Sequence, residues 1–191
     1  IASAKDRIAT DSILVSDTIW VSRSRPACPA GLRGMAGFML TLETGTTDVH
    51  SGVTGGVARN PLGELMQLVS KMYNAKTGKV KIPGFYDDVV ALRDEERAEF
   101  AKLPFNEKRY RMDLGAPKLF GESGFSTLER VWARPTFEVN GLLSGFTGEG
   151  AKTVLTAVAM AKVSMRLVPN QDQQKSGGHF GPYWKKVAPK P

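Results

Sequence analysis

Disulfide partners and soft metal ligands are scarce in this chain of 191 residues, which has one cysteine and two histidines. The single cysteine, Cys28, excludes an internal disulfide and is typical of a reducing compartment, so we expect a cytoplasmic protein. The usual metal clusters of cysteine and histidine cannot be built from so few donors within one chain.

Long apolar runs are absent as well. No stretch approaches the ~18 apolar residues that a transmembrane helix needs, and the N-terminus lacks the basic-then-apolar pattern of a secretory signal. We therefore expect no membrane partner. Because the chain begins with Ile1 rather than methionine, we expect a piece of a longer protein. Hydrophobic residues make up 41% and charged residues 24% of the chain, which is ordinary for a globular domain with a sizeable core.

The net charge of +7 and the isoelectric point near 9.6 raise nucleic acid as a partner. The basic residues do not support it, because between Lys71 and Lys118 they alternate with acids, a pattern typical of a solvated face. A basic cluster without acids occurs only at the end, at Lys185, Lys186 and Lys190. We expect no nucleic-acid partner.

Residues 48–56 place His50 between an acid and a hydroxyl and ahead of three glycines. Glycine lets a loop turn sharply and brings backbone N–H groups close to a ligand. Asn60 and Pro61 then predict a helix start, since Asn is a strong N-cap and Pro suits the first helical position. From these residues alone His50 is either an exposed turn histidine or a group that moves protons near neutral pH.

Hydrophobic periodicity predicts strands over residues 12–16, 34–44 and 136–142 and a longer extended segment over 152–168. From Ala159 to Leu167 apolar and polar residues alternate, which predicts a half-buried antiparallel strand. Helices are predicted from Pro61, with one apolar stripe, within residues 85–120, and from Ser126 to Arg134. Strands separated by helices favour an α+β fold. The predicted stripe is Leu62, Leu65, Met66, Val69 and Met72.

Two further side chains lie at the ends of predicted strands. Asp17 follows the short strand over 12–16, where α/β proteins often place ligands and metals, although a turn-forming aspartate fits equally. Arg166 lies near the end of the long strand and could equally be a solvated edge charge or a salt-bridge partner. The residues alone leave both assignments open.

Three ordered stretches resemble one family. They are residues 14–20 with 31–34, residues 48–52, and residues 150–154 with 164–170. Together they resemble the carnosinase-type branch of the zinc-dependent exopeptidases, whose superfamily includes aminoacylase, acetylornithine deacetylase and succinyl-diaminopimelate desuccinylase. The gaps agree as well, because His50 follows Asp17 by 33 positions and Arg166 follows Thr153 by 13. The resemblance covers roughly residues 11 to 175.

The resemblance implies a fold and a partner. Family members have a catalytic domain with two zinc ions and an inserted lid domain that forms a homodimer. Residues 1–31 would then be the terminal strand and loop of the catalytic domain, and residues 32–191 the lid. The implied lid is an antiparallel sheet of about four strands with two helices on one face, here with a helical insertion over 74–134.

Roles follow from the resemblance at four positions. Asp17 corresponds to a zinc ligand. His50 corresponds to the histidine that stabilises the oxyanion in the partner subunit's site, and Thr153 to a hydrogen-bonding group of that composite site. Arg166 corresponds to the arginine that holds the terminal carboxylate of a small peptide substrate, a task that suits a planar, permanently charged group.

The departures from the family pattern limit the expected activity. The His-x-Asp motif, the bridging aspartate, the paired glutamates and the late histidine have no counterpart, so we expect this chain alone to hold no zinc and to hydrolyse nothing. The final amphipathic helix after Asn170 would contain three glycines and Pro182, which predicts a broken helix or a segment foreign to the family.

The resemblance therefore predicts the lid and dimerisation domain of a zinc exopeptidase that hydrolyses small peptides. Two alternatives stay open from the sequence. The parent could be a deacylase acting on N-acyl amino acids, or the chain could be a bare dimerisation module.

Overall fold

The computed structural model describes residues 9–14, 27–29 and 31–188. Its strands and helices, in chain order, are β1 (Gly34–Glu43), β2 (Val49–His50), α1 (Ser51–Thr54), α2 (Pro61–Met72), α3 (Asp94–Lys102), α4 (Glu107–Asp113), α5 (Thr127–Ala133), β3 (Thr136–Leu143), β4 (Val154–Leu155), β5 (Val158–Leu167) and α6 (Gln173–Val187). The α+β class is confirmed.

The chain divides into two compact units, Ile1–Leu32 and Arg33–Pro191. In the first, the strand predicted over 12–16 is not found at residues 12–14, where Ile13 is 80% and Leu14 92% exposed. The rest of that predicted strand, and Asp17 after it, lie outside the described residues. The assignment of residues 1–31 to a catalytic domain stays a prediction.

The second unit is built on a three-stranded antiparallel sheet with the order β1-β5-β3. The central strand β5 has the predicted alternation, because every second residue is buried. Alternate side chains point to opposite faces of a sheet, so β5 has one core face and one open face. The buried residues are Ala159, Ala161, Val163, Met165 and Leu167.

Helix α2 covers the core face, and its start follows the local signals. The Asn60 side chain accepts a hydrogen bond from the Gly63 N–H at 3.2 Å, and Pro61 is the first helical residue. Leu65 and Met72 are fully buried, as predicted. Met66 is an exception: it belongs to the predicted stripe yet is 51% exposed and lines a groove beside β3.

Helix α6 also packs on the core face and corrects the prediction of a broken helix. It runs without interruption through its glycines and Pro182. Asp172 caps its start by accepting from the Lys175 N–H at 2.8 Å. Phe180 is 3% exposed and stacks on Phe38 with ring centroids 4.4 Å apart. Tertiary packing of this aromatic face overrides the poor intrinsic helix propensity.

The extended segment predicted over residues 152–168 is not one strand. It breaks between β4 and β5, and β2 pairs with β4 in a separate two-stranded ladder, with Val49 opposite Leu155 and His50 opposite Val154. The sheet among the described residues therefore has three strands rather than about four, because residues 44–48 loop out before the chain pairs again with the same segment.

The insertion contains α3, α4 and α5, where short helices were predicted. Arg97 makes two hydrogen bonds to the buried Glu129, at 2.7 and 3.2 Å, and so ties α3 to α5. Ser126 and Glu129 form a reciprocal cap at the start of α5. Outside the named strands, Val80 forms an isolated bridge with Tyr73. Across the described part of the chain, no helix has the length and apolar character to cross a membrane.

Candidate functional site

His50 and Thr153 lie side by side on the β2-β4 ladder. The His50 Nε2 atom is 2.7 Å from the Thr153 Oγ1 atom, although 103 positions separate the two residues. Backbone pairing continues past the strands, because the Ser51 N–H donates to the Thr153 carbonyl at 2.8 Å. Both side chains are exposed, so a second molecule can reach them.

The hydrogen bonds of the His50 ring define which nitrogen carries the proton. The Nδ1 atom accepts from the backbone N–H of Gly52 at 3.0 Å, so in the neutral ring the proton lies on Nε2. Nε2–H then donates to Thr153 Oγ1, and the threonine hydroxyl keeps its own proton for another acceptor. In this arrangement the pair presents one free donor, the Thr153 hydroxyl, and the His50 Nε2–H becomes available to a negatively charged oxygen only by leaving Thr153.

Two glycines after His50 are required by close contacts. A Cβ atom at Gly55 would lie 2.3 Å from the Ser51 carbonyl oxygen, and one at Gly52 would lie 2.8 Å from the His50 ring. Without these glycines the loop would have to move and the Nδ1 bond would be lost. The glycine-rich pattern thus fixes the histidine ring rather than only turning the chain.

Asp48 holds this loop to the break between β4 and β5. Its Oδ1 accepts from the N–H of the buried Ala157 at 2.9 Å, and the Thr44 N–H donates to the Ala157 carbonyl at 2.9 Å. At this break the Ala157 N–H has no strand partner, and the Asp48 carboxylate accepts its hydrogen bond instead. Sequence reasoning gave Asp48 no role, because nothing local marks its partner 109 positions away.

Arg166 lies on the open face of the three-stranded sheet, directly opposite Met35 of β1 and Thr136 of β3. Its side chain is exposed. Within the described ranges, Arg166 makes no hydrogen bond and no ion pair, so its guanidinium is available to a ligand. The predicted salt bridge is therefore not formed with any described residue.

Two charged neighbours share this face. Burial, and then the positive charge of Arg166, lower the pKa of Arg33, while Glu138 opposes the shift. Desolvation raises the pKa of Glu138, which Arg33 partly offsets. Sequence reasoning assigned no role to Arg33, since only the pairing register places it next to Arg166.

The two groups of predicted site residues do not meet within one chain. Thirteen residues separate Thr153 from Arg166, with a break before β5. The continuous strand from Val158 to Arg166 alone spans about 26 Å at ~3.3 Å per residue. His50 and Thr153 are brought together, and Arg166 lies at the far end of β5. A single ligand of dipeptide size cannot contact both ends of the same chain.

The residues that the structure describes do not fit a two-metal centre. No group of three or more histidine, cysteine, aspartate or glutamate side chains lies close enough to hold an ion. The predicted zinc ligand Asp17 lies outside the described residues. We therefore derive no metal chemistry from this chain.

Comparison with known proteins agrees with this architecture. The model of the peptidase dimerisation domain family matches residues 30–176. The human Beta-Ala-His dipeptidase is 31% identical over 170 residues, which is 88% of this chain and 33% of that protein. The Cys-Gly metallodipeptidase dug1 of Schizosaccharomyces pombe is 32% identical over 164 residues, 86% of this chain and 34% of that protein.

A solved structure gives the same result. An M20 family metallo-carboxypeptidase from Sulfolobus solfataricus superposes with a TM-score of 0.81 at 31% identity, over 97% of this chain and 48% of that one. The fold is thus that of a dimerisation domain found in metallopeptidases. The chain belongs to the peptidase dimerisation domain family. It spans about a third of the length of the curated relatives it matches.

Proposed function

We propose that this chain is the lid of a dipeptidase-like metallopeptidase and contributes to two active sites at once. One end would supply His50 and Thr153 to the partner subunit's site, and the other would hold a substrate carboxylate through Arg166. The observation that carries the proposal is that β5 lies between these two ends and spans about 26 Å from Val158 to Arg166. In a dimerisation domain, such a separation is useful only when two copies complete each other's sites.

The donors at the His50 end suit stabilisation of an oxyanion. The Gly52 N–H and the Thr153 side chain orient the His50 ring, and the β2-β4 ladder holds the two residues side by side. Preorganised donors aimed at a developing negative charge typically contribute 10²–10³ in kcat each. His50 would transfer its Nε2–H bond from Thr153 to the scissile carbonyl oxygen in the partner subunit's site, and the Thr153 hydroxyl would hydrogen-bond in the same site.

The surface for the second copy is proposed to be the outer edge of β3 with the neighbouring side of α2. Among the described residues no strand pairs with that edge. Exposed apolar side chains line it, and a groove of about 550 Å³ runs between β3 and α2. An unpaired edge with apolar neighbours is suited to pairing with another chain. The exposed residues are Met66, Val139, Leu142 and Leu143.

The substrate class is proposed to be small peptides with a free C-terminal carboxylate. Two relatives are named for the dipeptides Beta-Ala-His and Cys-Gly, and the free carboxylate is proposed because Arg166 carries an unpaired positive charge among the described residues. The metal, expected to be two zinc ions, would be held by the remainder of the parent protein, since the described residues offer no fitting site. The cytoplasmic location and the absence of a nucleic-acid partner stay predictions.

A binding experiment with this chain tests the proposal. Glycylglycine should bind weakly, in the millimolar range, and its C-terminal amide should not, as measured by NMR titration. Arg166→Gln should abolish the difference between the two ligands, because the charge that recognises the carboxylate is removed. Equal binding of peptide and amide by the unmutated chain would contradict the proposal and leave a dimerisation module without a ligand.

A further inference from the structure

We propose that Arg33 is a second guanidinium of the carboxylate site, placed beside Arg166 so that the two hold one ligand carboxylate between them. The inference rests on the proposed function, because Arg166 must first be the carboxylate ligand. It adds Arg33 as a residue that determines specificity, and it explains why an arginine directly precedes β1.

The pairing register places the two arginines on one face. Met35 lies directly opposite Arg166, so their side chains share the open face of the sheet. Arg33 precedes Met35 by two residues and continues the same alternation. It is therefore a diagonal neighbour of Arg166, a separation of ~7–8 Å that long side chains bridge.

A hydrogen bond fixes where the Arg33 side chain goes. Its guanidinium donates to the Arg134 carbonyl at 3.0 Å, across the end of β5. Arg134 precedes Thr136 by two residues, and Thr136 flanks Arg166 on the other side. The Arg33 side chain thus crosses the central strand next to Arg166, and its anchored guanidinium cannot swing away into solvent without losing this bond.

The local charge balance leaves room for an anion. Arg33 and Arg166 bring two positive charges, and Glu138, opposite Ser164 on the same face, brings one negative charge. Within the described residues neither arginine forms an ion pair, and Arg33 uses one guanidinium nitrogen on the Arg134 carbonyl. A guanidinium has five N–H donors, so both arginines retain donors for the two oxygens of a carboxylate.

The same conclusion follows from electrostatics. Two guanidinium groups held close together repel each other. Burial, and then the positive charge of Arg166, lower the pKa of Arg33 in the free chain. A bound carboxylate removes this repulsion and forms charge-assisted hydrogen bonds to both groups. A ligand with an amide in place of the carboxylate gains neither, so the arginine pair selects for a free acid.

The test is an NMR titration of the ¹⁵N-labelled chain that monitors the Nε–Hε signals of its arginines. The probes are N-acetylglycine, which has one carboxylate, and N-acetylglycinamide as its neutral counterpart. The variants are Arg33→Gln, Arg33→Lys and Arg166→Gln. Arg109→Gln is the matched control, because it removes one positive charge from α4, far along the chain, where Arg109 pairs with Asp113.

The expected result is that the Arg33 and Arg166 signals of the unmutated chain shift together with N-acetylglycine and stay unchanged with the amide. Arg33→Gln should weaken binding about tenfold, the typical effect of one charge-assisted hydrogen bond, and Arg33→Lys should recover part of it. Arg109→Gln should bind within about twofold of the unmutated chain.

Three outcomes overturn the inference, and they are distinguishable. If Arg166→Gln loses binding while Arg33→Gln binds like the control, Arg33 has no part in the site and the proposed function stands. If the unmutated chain does not discriminate acid from amide, both proposals fail. Should Arg33→Gln not fold, an Arg33 signal that stays still while that of Arg166 shifts would overturn the inference on the unmutated chain.

Discussion

Asp48→Ala should destabilise the chain by removing the acceptor that satisfies the N–H of Ala157. Ala157 is 7% exposed, and its N–H donates to Asp48 Oδ1 at 2.9 Å, at the point where the strand ladder is broken. A buried donor without a partner costs about 1–3 kcal/mol. Because Asp48 is itself exposed and water can partly replace it, we expect a loss of about 1–2 kcal/mol.

For a chain of this length, that loss corresponds to a decrease in Tm of about 3–6 °C. Urea unfolding followed by circular dichroism measures the free energy of unfolding, and an unchanged slope with denaturant would show that only stability has changed. Asp48→Asn keeps an oxygen acceptor and should restore most of the loss. Asp48→Ala should also broaden or shift the His50 ring signals in NMR spectra, because Asp48 holds the loop before β2 to the break between β4 and β5.

Glu43→Ala is the matched control, since it removes an exposed carboxylate at the end of β1, close to the same loop. It should change stability by less than about 0.5 kcal/mol. If Asp48→Ala and Glu43→Ala had the same small effect, the hydrogen bond to Ala157 would not hold the loop, and the account of how His50 is positioned would be refuted.

Three further predictions concern the ring of His50, the insertion and α6. Long-range ¹H–¹⁵N spectra should show the neutral His50 ring protonated on Nε2. Thr153→Val should move the Nε2 signal of His50 and leave the signals of His179 unchanged. A His50 ring protonated on Nδ1 would contradict the observed hydrogen bonds. Hydrogen bonding from Arg97 lowers the pKa of Glu129 below its ordinary value of 4.5. The ion pair therefore stabilises the fold fully above pH 4.5, and this stabilisation is lost as the pH falls through the lowered pKa. Glu129→Gln should thus lower Tm at pH 7, and the difference should shrink below pH 4.5; a difference independent of pH would exclude the ion pair as its cause. Gly178→Ala should raise the free energy of unfolding in urea by about 0.5–1 kcal/mol, because a Cβ there meets no atom within 4 Å. Gly84→Ala should lower it, because Gly84 has a φ of +79° and a Cβ there would lie 2.7 Å from the His179 ring. Equal effects of the two substitutions would mean that α6 does not pack as described.

Local signals in the sequence predicted the elements that depend on local chemistry. Asn60 and Ser126 start helices because their side chains cap nearby N–H groups, and β5 alternates because a half-buried strand must. The fate of α6 was not predictable in this way. Its glycines and proline disfavour a helix, and the face of Phe180 that compensates is visible only once the sheet is built.

The same distinction between local signals and long-range pairing applies to the candidate site. The resemblance named His50, Thr153 and Arg166 as candidates, but pairing between residues far apart in the chain decides how they are arranged. His50 and Thr153 meet because β2 pairs with β4, and the β1-β5 register makes Arg33 a diagonal neighbour of Arg166. Neither pairing follows from composition or spacing. The absence of a local signal also explains why Asp48 and Arg33 were assigned no role.

The central claim is that two copies of this chain complete each other's sites, and the mass of the chain in solution tests it most directly. Light scattering over a range of concentrations should give a dimer for the unmutated chain. Leu142→Asp, which places a charge on the exposed apolar edge of β3, should give a monomer with an unchanged circular dichroism spectrum. An unmutated chain that stays monomeric at high micromolar concentration would contradict this proposal. So would a Leu142→Asp variant that dimerises as strongly as the unmutated chain.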